Sequence, residues 1–552
     1  MFSFTSKSRR SIGILSAGAA AALLLTGLGV SPAVASNLLW NPGQSATGGS
    51  NGTGTWNAST TNWYDSTAAT NPVAWANGDG AYIGAGTGGS GTYTVTLGSS
   101  SGTYSTTNLG VNNSGNAYVL DGGGGTITGT GELLANGNFT LQNIALKAYT
   151  TIAVNSNSGT TGSTLNINSG ATITMASPSN LNLSDATSGA GGTAGTVNVN
   201  GGSLTVQAIT VAANNIRQTG TLNINSGTVT TTAIAGITSK SATNIGSPTV
   251  VNLNGGTLNT NWITATTHGN VTVNFNGGTL QSHNGGGIGA ASSAYTIPTN
   301  MNVQAGGAVI DSNAHTYWIQ TPLLHDATLG STPDGGLTVT DSKATGSQTA
   351  SSVTLQGANS YTGATVVQSG GDLVLGGATT ATTQYGVVAL AAASIADSSA
   401  VTVNSGGVLT LANNAAATQV NALNISGGTL TFELNSSQTP SLSIGSAANV
   451  SGVNNINIFA LAGTSSFTFG TYNLITDSAG GLSGGTFQFT GGGQTAIAGP
   501  LSGGKSYLLT LGSSDTAETL TISAVPEPTA LGLFAMGGAG LLLLGRKRKA
   551  QA

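Results

Sequence analysis

The chain of 552 residues has no cysteine, which removes disulfide staples, thiolate metal sites and cysteine nucleophiles together. Charge is nearly as scarce, at 5% of residues. Seven of the twelve basic residues stand at the two ends, Lys7, Arg9 and Arg10 at one and Arg546, Lys547, Arg548 and Lys549 at the other. Between Asp65 and Glu527, only Lys147, Arg217, Lys240, Lys343 and Lys505 face sixteen acidic residues. Nucleic-acid binding is not expected, because neutralising phosphates takes clustered Lys and Arg. Missing from residues 196–280 is any apolar stripe of helical period: β-branched residues, Asn and Gly dominate, so helical readings fail there.

What is present is one phrase repeated. Val197–Leu204, Leu222–Val229, Val251–Leu258 and Val271–Leu280 each alternate apolar and polar residues, reach an Asn-Gly-Gly or Asn-Ser-Gly turn, and continue as a second short strand. The period is two, the signature of β-structure. From the Asn before each turn, Asn200, Asn225, Asn254 and Asn276, the steps are 25, 29 and 22 residues, which suits one coil of a solenoid. The fold expected is all-β, a right-handed parallel β-helix. Asn and Gly tolerate the positive φ of a sharp corner. Alternate Val, Ile and Leu point inward and stack from coil to coil, while outward Thr, Ser and Asn form hydrogen-bonded ladders along the stack. At about 4.8 Å per coil, residues 36–524 would make a rod of about 80 to 105 Å.

Residues 1–35 read as an export signal. Lys7, Arg9 and Arg10 form the basic region, Ile12 to Val30 the apolar region, and Ala33-Val34-Ala35 a small-x-small cleavage site. Residues 36–150 are expected to hold capping coils. Trp40, Trp56, Trp63 and Trp75 are four of six tryptophans. They read as plugs for the open end of the stack in preference to a sugar-stacking surface, since large aromatics are mostly buried. The segments from Trp56 and from Trp75 resemble the opening of proteins with autotransporter-associated β-strand repeats. Gly84-Ala-Gly86-Thr-Gly-Gly89 matches a dinucleotide pattern, but the strand Thr92–Leu97 follows where a helix is required.

Residues 151–430 are read as the repeat coils. Within them, residues 352–430 resemble an autotransporter-associated β-strand repeat through Leu355 to Gly363, with its Gly-Ala-Asn and Tyr-Thr-Gly, and through Gly370 to Gly377. The resemblance implies a secreted β-helical passenger and no particular reaction. His315, His325, Asp311 and Asp326 are the one gathering of potential metal ligands, without His-x-His or His-Glu-x-x-His spacing, so a polar corner between strands is the favoured reading. The alternative function is a β-helical polysaccharide lyase or glycosidase, with Arg217 as base or with Asp326, Asp334 and Asp341 as neighbours on successive coils. Fold similarity alone does not license catalysis. The expectation is of no catalytic, cofactor-binding or metal-binding residues and no enzyme.

Residues 431–524 are expected to be a C-terminal β cap. Beyond them, Pro526-Glu527-Pro528, the apolar run Thr529 to Gly545 and the basic cluster Arg546-Lys547-Arg548-Lys549 closely resemble a PEP-CTERM sorting signal over residues 525–549. The resemblance implies a single hydrophobic transmembrane helix, held by its basic end, and a membrane protease-transpeptidase, exosortase, that reads the motif and removes the tail. It further implies export across the inner membrane, transient anchoring, and a structural or adhesive role at the cell surface or in an exopolysaccharide or biofilm matrix.

Overall fold

The computed structural model describes residues 35–525 apart from 87–89, 99–101, 155–161, 184–193, 211–218, 236–248, 265–270, 289–299, 344–350, 377–379, 384–385, 390–394, 396–398, 413–417, 435–440, 461–465 and 502–503. Ala33, Arg217, Pro526, Glu527, Pro528, the cluster Arg546 to Lys549 and the expected C-terminal helix lie outside the described residues. The described chain is nearly all strand, and its helical pieces are the short 3-10 turns Ala327–Leu329 and Leu482–Gly484.

Three ladders of parallel strands organise the body. The chain adds one strand to each in turn: Thr151–Val154 joins the first, Ser163–Asn168 the second and Thr172–Thr174 the third. Asn180–Leu183 then returns to the first, in register with Thr151–Val154. Sequence alternation becomes burial, so that Gly195–Thr205 buries Val197, Val199 and Leu204 and turns Thr196 and Asn198 outward. Inward residues stack in register: Leu181, Ile209, Ile234, Ile263, Ile288 and Ile319 form one unbroken column of the first ladder. Burial of each such side chain contributes about 1.5–3 kcal/mol, and it is the next strand of the ladder that supplies the cover.

The two glycines of an Asn-Gly-Gly corner serve different needs. Gly201 holds φ of 96°, a conformation that side chains with a Cβ avoid. Gly202 lies so close to the preceding coil that a Cβ would stand 2.7 Å from the Asn168 carbonyl oxygen. The Asn side chains are the more consequential part. Asn302 donates to Asn274, Asn274 to Asn252, Asn252 to Asn223, Asn223 to Asn198 and Asn198 to Asn166, at 2.7–2.9 Å. Asn166 donates onward to Thr140. A second series runs from Asn254 through Asn225 and Asn200 to Asn168. Each carboxamide donates one way and accepts the other, so a column of identical residues satisfies itself.

At the N-terminal end, Trp40, Trp56, Trp63 and Trp75 are all buried and meet in tilted and edge-to-face contacts with centroids 4.7–5.2 Å apart. Such geometry suits the aromatic quadrupole, and the cluster fills the first coil. Gly86, in the dinucleotide-like stretch, packs against the Ser50 backbone, where a Cβ would stand 2.5 Å away. Parallel pairing continues past residue 430, through Thr429–Leu434 with Val453–Ala460 and on to Thr486–Phe489. Gly470–Asp477 pairs in parallel with Leu442–Ser451 and antiparallel with Ala517–Ala524, and the antiparallel pairing continues through Tyr507–Ser513 to Thr495–Ala498.

Candidate functional site

The candidate ligands His325, Asp326, Asp311 and His315 come together only in part. The inward column of the second ladder runs Leu253, Phe275, Val303 and then His325, so a polar ring takes an aliphatic position where that ladder stops. His325 Nδ1 lies 2.8 Å from Asp334 Oδ2, and its Nε2 lies 3.1 Å from the Gly330 carbonyl oxygen. The bond to Asp334 raises the imidazole's pKa above its ordinary value.

Asp334 is committed to the backbone. Thr362 N donates to Oδ2, while Gly336 N and Gly363 N donate to Oδ1. Burial alone would raise its pKa, but the donors from Thr362, His325, Gly363 and Gly336 leave it below the usual carboxylate range. Asp326 caps the 3-10 turn through Thr328 N and accepts from Gln304. Asp311 accepts from Asn313 N and Ser342 N, and Asp341 from Ala314 N and Lys343 N. These carboxylates hold corners, and among the described residues no three His, Asp or Glu side chains gather as metal ligands would.

The same interactions give physical roles to the Gly-Ala-Asn-Ser-Tyr-Thr-Gly stretch, which occupies the place of the absent second-ladder strand. Asn359 accepts from Leu323 N and donates to the Gly357 carbonyl. Tyr361 is fully buried with its hydroxyl 2.6 Å from Thr365 Oγ1. Thr362 and Gly363 close on Asp334.

A groove of about 420 Å³ lies on the outward face of the first ladder, unmarked by the motifs. One outward row in register is Trp318, Thr354, Val374, Thr410 and Thr431. Beside it Gln320, Gln356, Ala412, Glu433 and Phe459 complete the lining. Small residues make the floor, while Trp318 and Phe459 stand up from it, 44% and 55% exposed. Gln356 is only 6% exposed, and its Oε1 has no hydrogen-bond partner. Two rungs from Trp318, with Gly287 between them, Trp262 occupies the same outward row. The signal was available in the alternation: Trp262 precedes inward Ile263, and Trp318 lies between inward Tyr317 and Ile319, so both rings face outward.

The described chain thus belongs to the broad class of all-β proteins built on parallel ladders. Residues 524–549 match the PEP-CTERM protein-sorting motif. That motif marks a chain for export and for processing by exosortase, a membrane protease. No curated protein matches the chain. No helix among the described residues is long and apolar enough to cross a membrane.

Proposed function

We propose that this is an exosortase-processed structural or adhesive protein of the cell surface or extracellular matrix, built as a right-handed parallel β-helix and without catalytic activity of its own. The sorting match at residues 524–549 carries the export half of this reading. The signal peptide ending at Ala35 and the transient membrane helix held by Arg546 to Lys549 complete the route. A matrix role is supported by the surface chemistry: uncharged amides and hydroxyls present hydrogen-bonding groups to hydrated polymers, while the scarcity of cations leaves no field to draw in nucleic acid.

The lyase and glycosidase reading has less support. Asp334 and Asp341 are spent on backbone donors. Near the groove, Asp372 and Glu433 stand two rungs and four residues apart in the first ladder, or ~16 Å between backbones at ordinary strand spacings. Glycosidase carboxyl pairs work at under about 10 Å.

The test is mass spectrometry of the C-terminus of protein from its native host. The mature chain should lack Thr529 to Ala552, and Glu527→Ala should leave the tail attached. An intact Ala552 on the surface protein would refute sorting by cleavage. So would a Glu527→Ala variant processed as usual, because a carboxylate outside the apolar run contributes little to membrane insertion.

A further inference from the structure

We propose that the groove on the first ladder is a binding site for a neutral polysaccharide, laid along the stack between Trp318 and Phe459. The proposal rests on the matrix reading above and gives it a ligand class. Outward positions of a strand are ordinarily wet, yet Thr354 and Thr431 are 6% and 3% exposed and Gln356 is equally covered. These side chains therefore line a depression. A buried carboxamide oxygen without a donor is costly, and the Gln356 oxygen is such a group.

The occupant has to offer a flat apolar face and a hydroxylated edge together. The rings of Trp318 and Phe459 ask for the face, and the Gln356 oxygen and the threonine hydroxyls ask for the edge. A pyranose has both, on opposite aspects of one rigid ring. An apolar peptide segment would leave Gln356 unpaired. An anionic polymer is disfavoured because the lining holds the acidic Glu433 and no Lys or Arg. Geometry adds a reason for a chain over a single sugar: the ladder repeats at about 4.8 Å, close to the rise of an extended β-linked pyranose chain, so successive sugars meet successive rungs. Trp262, further along the same row, extends the track for a longer polymer.

The experiment uses the purified mature protein, titrated with cellohexaose, laminarihexaose and maltohexaose as neutral probes and with oligogalacturonate as the anionic one. Tryptophan fluorescence and calorimetry report binding. At least one neutral hexasaccharide should bind, and the polyanion should not. Trp318→Ala should weaken that binding about tenfold or more, the loss of one stacking platform. Gln356→Leu should weaken it comparably while circular dichroism stays unchanged, and Trp262→Ala should weaken binding of the long polymer but not of the hexasaccharide. The proposal is overturned if no neutral glycan binds, if oligogalacturonate binds better, or if Trp318→Ala binds as the parent does. It is also overturned if Trp318→Ala instead abolishes self-association, which would make the groove a seat for a second copy. Sorting is read separately at the C-terminus, so a correctly processed protein that binds no glycan would lose this site and keep its proposed function.

Discussion

Asn223 donates to Asn198 and accepts from Asn252, whereas Asn302 stands at the end of the same series, opposite Leu324, which has no amide to offer. Truncating an interior member leaves a donor and an acceptor stranded; truncating the last strands one. Asn223→Ala should therefore destabilise the protein by about 1–2 kcal/mol and Asn302→Ala by about half of that, read from urea midpoints at unchanged slope. Equal effects would mean that the amides act singly and not as a column. Glu518 supplies a second test. It is fully buried, and burial pushes its carboxyl up from 4.5 to about 7, with Ser513 offsetting only part. Between those pH values the folded chain holds a proton that the unfolded chain has released. The stability Glu518 contributes is thus complete below pH ~4.5 and gone above pH ~7, a difference of about 3 kcal/mol. Glu518→Gln should match the parent near pH 4.5 and melt at a higher temperature at pH 8; parallel pH profiles for the two would refute the shift.

Elements in this molecule depend on their neighbours, and the first coil depends on its tryptophans. Trp63 is fully buried and touches Trp40, Trp56 and Trp75, so Trp63→Ala should cost about 3–5 kcal/mol. In a stack of nearest-neighbour units the loss stays local. Hydrogen exchange should quicken over residues 36–83 and remain slow over the strands Gly195–Thr205, Gly220–Ala235, Thr249–Leu253, Thr257–Thr264 and Val271–Phe275; uniform quickening would show that the stack melts as one. The strands, the corners and the plug were legible because alternation, Asn-Gly-Gly and a knot of tryptophans are local signals. The outward amides were legible as ladders, since Asn198, Asn223, Asn252 and Asn274 hold equivalent places in the repeated phrase. The end of the parallel pairing was not legible, because Leu442–Ser451 and Val453–Ala460 pair in parallel without the Asn-Gly-Gly rhythm. Nor was the groove, whose lining is gathered from successive rungs of the first ladder between Trp318 and Phe459. His325 and its acidic neighbours were visible as a cluster, but their commitment to the backbone amides of Thr362 and Gly363 is a matter of coil-to-coil geometry.

Taken whole, the first ladder makes sixteen parallel steps from Asn37–Trp40 to Thr486–Phe489. At about 4.8 Å each, that is ~77 Å before the ends are added. Small-angle scattering of the mature protein should give a maximum dimension of about 80 Å or more, against roughly 60 Å for a sphere of the same chain length. The smaller value would overturn the stacked architecture. A ladder of this kind carries a hazard, since its last strand offers unpaired backbone groups to any strand that arrives. Here Asn37–Trp40 is covered by Trp63–Asp65 running the other way, itself covered by Thr70–Val73. At the far end Gly470–Asp477 lies off the first ladder, parallel to Leu442–Ser451, and is covered antiparallel by Ala517–Ala524, whereas Thr486–Phe489, where the first ladder ends, pairs among the described residues with Val453–Ala460 only. An incoming parallel strand finds reversed polarity at both covered strands. Parallel addition of strands, the way an amyloid fibril lengthens, is therefore obstructed at those two strands, which favours contacts made through the flanks of the molecule over growth from its ends.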